Sequence, residues 1–421
     1  ISHCHQNGRH DYQIASVDIN SQYPASLNNM YIPTGKSFWV EEYNTNWYGY
    51  YHLKNIVFNL PPGTFLPICP LPQKNSSLDW AVKKQKDGKL VIDEAYVDSF
   101  MIDYLYRLYK LETFDVVKGL VSEKKRRGYE IFGKYVNVLY AAKAKQDALK
   151  EIRSEDYNPA LRQCIKLFLN SLTGKLVEAT ERYFTMEFIC KPKDLDNLKA
   201  TDNVSIKGVH YMKNREKWKP NLWVGCGVMV YSYSKRLLFE YVRHIPKDII
   251  HVETDGIYFD ARAFPRFYNG IKDYKKLPHT KSGNVRFPVS FGDDLGNIKL
   301  EHISEGNKTY DESEGIMEEK SGTMNGPWRP AYFNGKKNYF FHCSLDKMDI
   351  QKLKGFPSST IDDSGKKIDL INRQLFVDVF NGKSVTKEYH GIRRVLHGET
   401  RMLSCRQSRT VHPKKKRKVW N

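Results

Sequence analysis

The sequence lacks the features of a membrane-spanning or secreted protein. None of its 421 residues belongs to an uninterrupted apolar run of the length, about 18 residues, that a spanning helix needs. No apolar core of a signal peptide is visible near the start. The seven cysteines include no Cys-x-x-Cys pair, which excludes a zinc site of that spacing and favours a reducing compartment. We therefore expect a soluble, intracellular protein with no membrane partner.

Acidic residues are the scarcer of the two charged classes. The chain has 67 Lys and Arg against 48 Asp and Glu, a formal net charge of +19. Such an excess predicts a polyanionic partner, with nucleic acid as the first candidate and an anionic membrane surface as the second. The hydrophobic content of 40% is enough for a sizeable core, and the length favours two or more subdomains. Because the first residue is Ile1 rather than Met, we expect a fragment whose upstream part is missing.

A single acid interrupts an apolar run early in the chain. Residues 14–19 have the composition of a buried strand, except for Asp18. Asn20 and Ser21 then offer a cap for a short helix. A carboxylate buried at a strand end is costly unless it is paired or bound to a metal, so Asp18 is a candidate ligand. On this stretch alone, a turn-forming Asp is the alternative.

Helical patterns follow an irregular, β-rich segment that we place at residues 31–120. The composition becomes helical from residue 121, with one helix over residues 129–150 and a second that begins at Asn158 and Pro159. Gly174 stands where a left-handed residue would end that second helix. Its polar face repeats two cations and an amide every four residues: Arg162, Lys166 and Asn170. A solvated face is the alternative for any two of them. A third helix is predicted over residues 226–242.

A second acidic site is predicted at a hairpin. Two apolar strands flank residues 253–256, Glu-Thr-Asp-Gly, and Asp-Gly between such runs is a strong hairpin signal. Glu253 and Asp255 would repel each other on one hairpin tip, which is tolerable if a divalent cation binds there. Farther along, Lys337 and Tyr339 lead into another apolar strand.

These stretches, in this order, resemble motifs A, B and C of family B DNA polymerases. The resemblance is closest to the protein-primed branch of linear phages, adenovirus-like viruses, linear plasmids and self-synthesising transposons. Motif A, Asp-x-x-Ser-x-Tyr-Pro, is matched by Asp18, Ser21, Tyr23 and Pro24. Motif B, Lys-x-x-x-Asn-Ser-x-Tyr-Gly, is matched by Lys166, Asn170, Ser171 and Gly174. Motif C, Asp-Thr-Asp, is matched by Thr254 and Asp255, and the Lys-x-Tyr motif after it by Lys337 and Tyr339.

The chain departs from the family's motifs at three positions. Glu253 replaces the first Asp of motif C, Thr173 replaces the motif B tyrosine, and Gly256 follows Asp255 where the family often has Ser. In the family the second acid of motif C is the more consistent metal ligand, so the resemblance gives Glu253 a supporting role. The loss of an aromatic ring at Thr173 affects base-pair stacking.

The resemblance implies template-directed transfer of dNTPs to a primer 3′-hydroxyl, with two Mg²⁺ ions that Mn²⁺ could replace. Asp18, Asp255 and Glu253 would be catalytic, with Asp18 and Asp255 as metal ligands. The nucleotide would be bound by Tyr23, Arg162, Lys166, Asn170 and Gly174. Primer-template DNA would be contacted by Ser21, Ser171, Thr173, Thr254, Lys337 and Tyr339. A terminal, priming protein is a further implied partner, and no proofreading exonuclease is expected. The alternatives are a catalytically weakened or inactive nucleic-acid-binding relic, favoured by Glu253 and Thr173, and an RNA-synthesising enzyme, disfavoured by Tyr23.

The implied fold is an α+β right-hand polymerase with two insertions of the terminal-protein-region type. The predicted divisions are a palm at residues 1–30 and 222–345, insertions at 31–120 and 176–221, fingers at 121–175, a thumb at 346–405 and a basic tail at 406–421. Residues 413–419, Pro-Lys-Lys-Lys-Arg-Lys-Val, predict nuclear import of the intracellular chain. An added tag is an equal alternative, and a tail that touches DNA is a third.

Overall fold

Strands and helices are mixed along the chain, as in an α+β fold. The computed structural model describes residues 2–4, 6, 8–60, 72–73, 76–80, 83–84, 89–177, 185–189, 204–206, 209–214, 224–273, 289–306, 308–311, 316–319, 330–335, 337–354, 359–361, 367–397 and 399–412. The run predicted to direct nuclear import and much of the second predicted insertion lie outside these residues. The helices are α1 (Gln22–Asn29), α2 (Ser99–Leu108), α3 (Gly128–Glu151), α4 (Pro159–Leu176), α5 (Val224–Val242), α6 (Phe264–Lys272) and α7 (Arg373–Phe380).

The strands that the structure describes range from two to thirteen residues in length. They are β1 (Ser2–Cys4), β2 (Gly8–His10), β3 (Ile14–Ile19), β4 (Tyr31–Thr34), β5 (Phe38–Val40), β6 (Tyr48–Phe58), β7 (Pro72–Gln73), β8 (Ser76–Trp80), β9 (Lys83–Lys84), β10 (Leu90–Asp98), β11 (Leu111–Ser122), β12 (Lys124–Arg127), β13 (Thr185–Ile189), β14 (Val204–Ile206), β15 (Val209–Asn214), β16 (Ile249–Glu253), β17 (Gly256–Asp260), β18 (Ile298–Ile303), β19 (Lys308–Asp311), β20 (Ile316–Glu319), β21 (Ala331–Phe333), β22 (Asn338–Cys343), β23 (Met348–Leu353), β24 (Ser359–Ile361), β25 (Lys367–Asp369), β26 (Val385–His397) and β27 (Glu399–Val411).

A five-stranded antiparallel sheet brings together the two acidic segments singled out in the sequence. Its strand order is β1-β16-β17-β3-β18. Asp18 on β3 lies opposite Gly256 on one side and Lys299 on the other. Val17 and Ile257, on neighbouring strands, are fully buried. The predicted hairpin is therefore confirmed, and the sheet register places it beside Asp18.

Helices α1 and α5 join this sheet in the main core. The predicted helix over residues 226–242 is confirmed as α5, which starts slightly earlier, at Val224. Met229, Tyr233, Leu237 and Tyr241 repeat every four residues and are all fully buried. The γ-oxygens of Ser26 on α1 and Ser234 on α5 are 2.8 Å apart, so a hydrogen bond also joins the two helices.

Within the segment expected to be irregular and β-rich, the described residues form a five-stranded sheet. Strands β5-β11-β6-β10-β9 are antiparallel, and the long strands β6 and β11 pair through three register shifts. Its buried residues belong to the same core cluster as α5. The buried guanidinium of Arg236 on α5 also binds the carboxylate of Asp103 on α2 at 2.7 Å. Tyr50 and Tyr51 are consecutive on β6, so aromatic residues obscure the alternation of apolar and polar residues that marks a strand.

The helical region begins later than its composition suggests. Strand β11 continues to Ser122, and the basic run Lys124–Arg127 forms β12, paired with β4, so α3 starts only at Gly128. For α4 the predicted start is confirmed, because the Asn158 side chain accepts a hydrogen bond from the backbone N–H of Leu161 at 2.9 Å. The predicted end is wrong. Gly174 has no left-handed backbone angle, and the helix continues to Leu176.

A four-stranded sheet, β2-β21-β22-β23, follows the central sheet and is packed against α7. One isolated antiparallel bridge, Ser304 to Cys343, connects the end of β18 with β22. Within the described ranges, no helix is long and apolar enough to cross a bilayer.

Candidate active site

Two carboxylates lie at one end of the central sheet. Asp18 is the penultimate residue of β3, and Asp255 is the second residue of the tight turn between β16 and β17. The backbone N–H of Ile19 donates to the carbonyl of Asp255 at 3.0 Å. A Cβ atom at Gly256 would lie 3.8 Å from Oδ1 of Asp18. The backbone therefore holds the acids of motifs A and C side by side.

The electrostatics of this pair are unfavourable to two negative charges. Burial raises the pKa of Asp18, and the negative charges of Asp255 and Glu301 raise it further, while Lys299 and Lys166 oppose them. Burial also raises the pKa of Asp255, with Glu301 and Glu253 adding to the effect and Lys166 again opposing it. Neither carboxylate belongs to an ion pair in the part of the chain that the structure describes. The cluster therefore has an excess of negative charge.

A divalent cation fits this donor set. Carboxylate oxygens are the ligands that Mg²⁺ prefers, and Mn²⁺ accepts the same donors. A bound cation would neutralise the repulsion that raises both pKa values. Asp18 and Asp255 are thus the residues that would hold Mg²⁺.

Glu301 is a site residue that the sequence did not reveal. It is exposed on β18, and its charge acts on both Asp18 and Asp255. The alternation of Ile298–Ile303 does indicate a strand with Lys299 and Glu301 on one face. Only the pairing of β18 with β3 shows that this face adjoins Asp18.

Helix α4 brings Lys166 to the two acids. The Lys166 charge lowers the pKa of both Asp18 and Asp255, and its side chain is exposed. Arg162 is engaged differently, because its Nε donates to Oδ1 of Asp147 on α3 at 2.5 Å. On the predicted cationic ridge, Lys166 is therefore exposed with its charge acting on the acids, and Arg162 is held by another helix.

The remaining motif B residues divide between solvent and core. Asn170 and Gly174 are exposed, and a Cβ at Gly174 would meet nothing within 4 Å. Ser171 is exposed and donates from Oγ to the carbonyl of Phe168 at 3.0 Å. Thr173 is only 2% exposed and its hydroxyl oxygen is buried. Thr173 continues the buried stripe of α4, so its position gives no support to the predicted contact with primer-template DNA.

Tyr23 stands on α1 near the acids. Its ring meets that of Tyr231 edge-on, with centroids 5.4 Å apart. Burial raises the pKa of Tyr23 to about 12, with contributions from Tyr231 and Asp255. Ser21 occupies the N-cap position of α1 with a left-handed φ of 48°, but its side chain makes no capping hydrogen bond. Pro24 is buried.

Glu253 does not share the environment of Asp255. It is 7% exposed, and its Oε1 accepts from Nζ of Lys352 at 2.5 Å and lies 3.6 Å from Nζ of Lys337. Burial alone would raise its pKa, but His251, whose Nε2 lies 3.8 Å from Oε2, and the hydrogen bond from Lys352 lower it to about 2. Glu253 is a fixed anion that holds two lysines, and Lys352 was not identified from the sequence.

The two residues of the Lys-x-Tyr motif differ in their exposure to solvent. Lys337 is partly exposed, with a left-handed φ of 57°. Tyr339 is 5% exposed, and its hydroxyl lies 2.9 Å from that of Tyr258, within a buried aromatic cluster. Its low exposure gives no support to contact with primer-template DNA, which stays a prediction for Tyr339. Thr254 is partly exposed, and its φ of 52° forms the tight turn before Asp255.

Comparison with known proteins gives a family and a fold. The family model described as DNA polymerase type B, organellar and viral, matches residues 2–220. The comparison with curated proteins finds no match. The structure of phi29 DNA polymerase with primer-template DNA and incoming nucleotides has a TM-score of 0.60 and 15% identity, over 96% of this chain and 58% of that one. The binary complex of the same polymerase with primer-template DNA has a TM-score of 0.57 and 15% identity, over the same shares of both chains.

An orthorhombic crystal form of phi29 DNA polymerase is similar to the same degree. Its TM-score is 0.54 and its identity 15%, over 97% of this chain and 61% of that one. The chain thus spans about three fifths of the solved structures that it resembles. These matches confirm the predicted α+β fold class.

Proposed function

Because the chain belongs to the organellar and viral type B DNA polymerases, we propose that it carries out template-directed DNA synthesis. In this reaction the primer 3′-hydroxyl oxygen would bond to the α-phosphorus of a dNTP, and the bond to the β-phosphate would break to release pyrophosphate. The observation that carries the proposal is the half-buried pair Asp18 and Asp255 at one end of the central sheet, with the Lys166 charge acting on both. The test is extension of a labelled primer annealed to a template, with Mg²⁺ and either dNTPs or NTPs.

The chain's own residues support distinct parts of this reaction. Asp18 and Asp255 would hold two divalent ions. When bound, such ions activate the primer hydroxyl and stabilise charge on the phosphates. Lys166 would bind the triphosphate, since an ammonium group positioned for phosphate oxygens stabilises the charge that develops there. Asn170 and Gly174 would face the nascent base pair, because the missing side chain of Gly174 leaves open space beside the helix.

The partners of the proposed reaction follow from charge and fold. The structures of phi29 polymerase contain primer-template DNA and nucleotides, and a net charge of +19 suits such polyanions. Ser21, Ser171, Thr254 and Lys337 have side chains at least partly open to solvent and remain the candidates for contact with the primer-template. The predicted palm, fingers, thumb and insertions, and a terminal priming protein, belong to the same proposal and rest on analogy.

A catalytically weakened DNA-binding relic is less well supported. Its sequence argument was the replacement of Asp by Glu253 and of an aromatic residue by Thr173. Glu253 has a role that does not need metal contact, because it holds Lys352 and Lys337. Thr173 is buried, so the replacement of the motif B tyrosine by Thr affects the packing of α4 first.

Replacement of Tyr23 by Val should admit ribonucleotides. The ring lies close enough to Asp255 for that carboxylate to affect its pKa, so it stands beside the proposed nucleotide site. Removal of the ring would leave room for a 2′-hydroxyl. The measurement is the ratio of kcat/KM for dNTP and NTP, with Tyr96→Val as the control because Tyr96 is exposed on a different sheet. Unchanged discrimination in Tyr23→Val would assign sugar exclusion to another residue.

Replacement of Glu253 by Gln should weaken extension without abolishing it. The amide keeps the size of the side chain but loses the charge that holds Lys352 and Lys337. Loss of a supporting partner of this kind typically costs about 10 to 100-fold in activity. Glu151→Gln, at the exposed end of α3, is the matched control. Activity as low as that of Asp255→Asn, with Mg²⁺ and with Mn²⁺, would make Glu253 a direct ligand.

A further inference from the structure

A second group of potential ligands lies outside the proposed active site. His302 on β18, Cys343 at the end of β22 and Asp346 in the turn before β23 each offer one donor atom. The three donor atoms all lie within 4.8 Å of one another. Cys343 and Asp346 are three residues apart, but His302 lies about forty residues earlier, so no motif of close spacing marks the whole group. The absence of Cys-x-x-Cys therefore did not exclude this kind of site.

The backbone holds this group in place at the junction of two sheets. Ser304 and Cys343 form the antiparallel bridge between β18 and β22. The N–H of Ser344 donates to the carbonyl of Ile303 at 2.7 Å, and the N–H of Glu305 donates to the carbonyl of His342 at 2.8 Å. Backbone hydrogen bonds next to His302 and Cys343 thus hold β18 against β22.

The distances within the group match a tetrahedral metal site. His302 Nδ1 lies 3.1 Å from Asp346 Oδ2, Cys343 Sγ lies 3.4 Å from the same Oδ2, and Sγ lies 3.7 Å from Nδ1. Zinc bonds of about 2.0 to 2.3 Å in a tetrahedron place two N or O ligands about 3.3 Å apart, and a sulfur about 3.6 Å from either. Each observed separation is close to the corresponding edge. Hydrogen bonds among the three side chains alone would not require all three separations to match the edges of a tetrahedron.

Burial differs among the three residues in a way that suits a bound cation. Cys343 is fully buried, whereas the side chains of His302 and Asp346 are 23% and 48% exposed. An ion could therefore enter from the solvent side, and water could supply the fourth ligand. A thiolate and a carboxylate together balance a charge of two, and a thiolate with an imidazole selects zinc-class ions over Mg²⁺.

We propose that His302, Cys343 and Asp346 bind one zinc-class divalent cation that fastens β18 to the turn between β22 and β23. Strand β23 carries Lys352, which binds Glu253, and β22 begins next to Lys337. A cation at the junction would therefore stabilise the strands that position these two lysines. It would also add to the stability of the folded chain, because the unfolded chain does not bring the three ligands together.

Titration with Co²⁺ under reducing conditions tests the proposal. The wild-type chain is expected to develop thiolate-to-cobalt charge-transfer absorption in the near ultraviolet that corresponds to one thiolate-bound Co²⁺, and Zn²⁺ should displace this ion and raise the Tm. The Asp18→Asn, Asp255→Asn double variant should keep this absorption, because carboxylates do not produce it. The result is therefore independent of the polymerase proposal.

Ligand variants identify the site. Cys343→Ser should lose the absorption, while Cys164→Ser, which removes an exposed thiol on α4, should keep it. Should Cys343→Ser fail to fold, His302→Gln and Asp346→Asn decide the question. Each should weaken Co²⁺ binding by at least the roughly 10 to 100-fold that loss of an outer partner costs. No charge-transfer absorption in the wild type, or absorption that survives all three ligand variants, would overturn the proposal.

Discussion

Replacement of Asp255 by Asn is expected to lower the rate of primer extension by roughly 10³-fold or more. A carboxylate that holds a catalytic ion accounts for several kcal/mol of transition-state stabilisation, and each 1.36 kcal/mol is about a factor of ten. Asp18→Asn should have an effect of the same order, since the two residues share one sheet end. The measurement is single-turnover extension with saturating dNTP and Mg²⁺.

DNA affinity and folding are the controls for this prediction. The dissociation constant for primer-template should stay nearly unchanged, because phosphate contacts come from the basic surface. The Tm should be kept or raised. Burial and charge repulsion raise the pKa of both acids, so the charged carboxylates are less stable in the folded chain than in the unfolded one. Asp115→Asn, on the separate sheet of β11, should leave extension unchanged. Extension by either active-site variant within tenfold of wild type would remove these acids from the mechanism.

Replacement of Lys166 by Ala is expected to have the second largest effect. Lys166 is the residue of α4 whose charge reaches both Asp18 and Asp255. Loss of one group that stabilises developing charge costs about 10²- to 10³-fold in kcat. We expect the KM for dNTP to rise as well, because the ground-state triphosphate is also bound.

The matched control for Lys166 is Lys134→Ala, which removes an exposed lysine from the neighbouring helix α3. It should change neither constant. Arg162→Ala should have a smaller effect on kcat than Lys166→Ala, because Arg162 is already paired with Asp147. A Lys166→Ala variant that lost only DNA affinity would assign the exposed face of α4 to the template path.

The sequence predicted a feature correctly where a local pattern of residues determines it. The apolar run around Asp18, the hairpin before Asp255 and the start of α4 at Asn158 all depend on local patterns, and all three are confirmed. The end of α4 was misplaced because Gly174 is compatible with a helix interior as well as with a left-handed end.

The sequence did not predict which motif residues are buried, nor which residues from distant strands lie beside the site. Thr173 and Tyr339 match or replace motif positions, yet both face the core, and only the packing of their elements shows this. Glu301 and Lys352 lie on strands whose pairing places them beside Asp18 and Glu253. Strand register across hundreds of residues is set by the whole core, so no local pattern identifies these two residues.

Single-nucleotide incorporation tests the central claim most directly. Wild-type chain and the Asp255→Asn variant would each be mixed with Mg²⁺ and four primer-templates that differ only in the next template base, with one dNTP supplied at a time. The proposed function predicts that the wild type adds only the complementary nucleotide to each primer, and that Asp255→Asn adds none in the same time while binding the same DNA. Wild-type chain that binds these primer-templates but extends none of them, with Mg²⁺ or Mn²⁺, would contradict it.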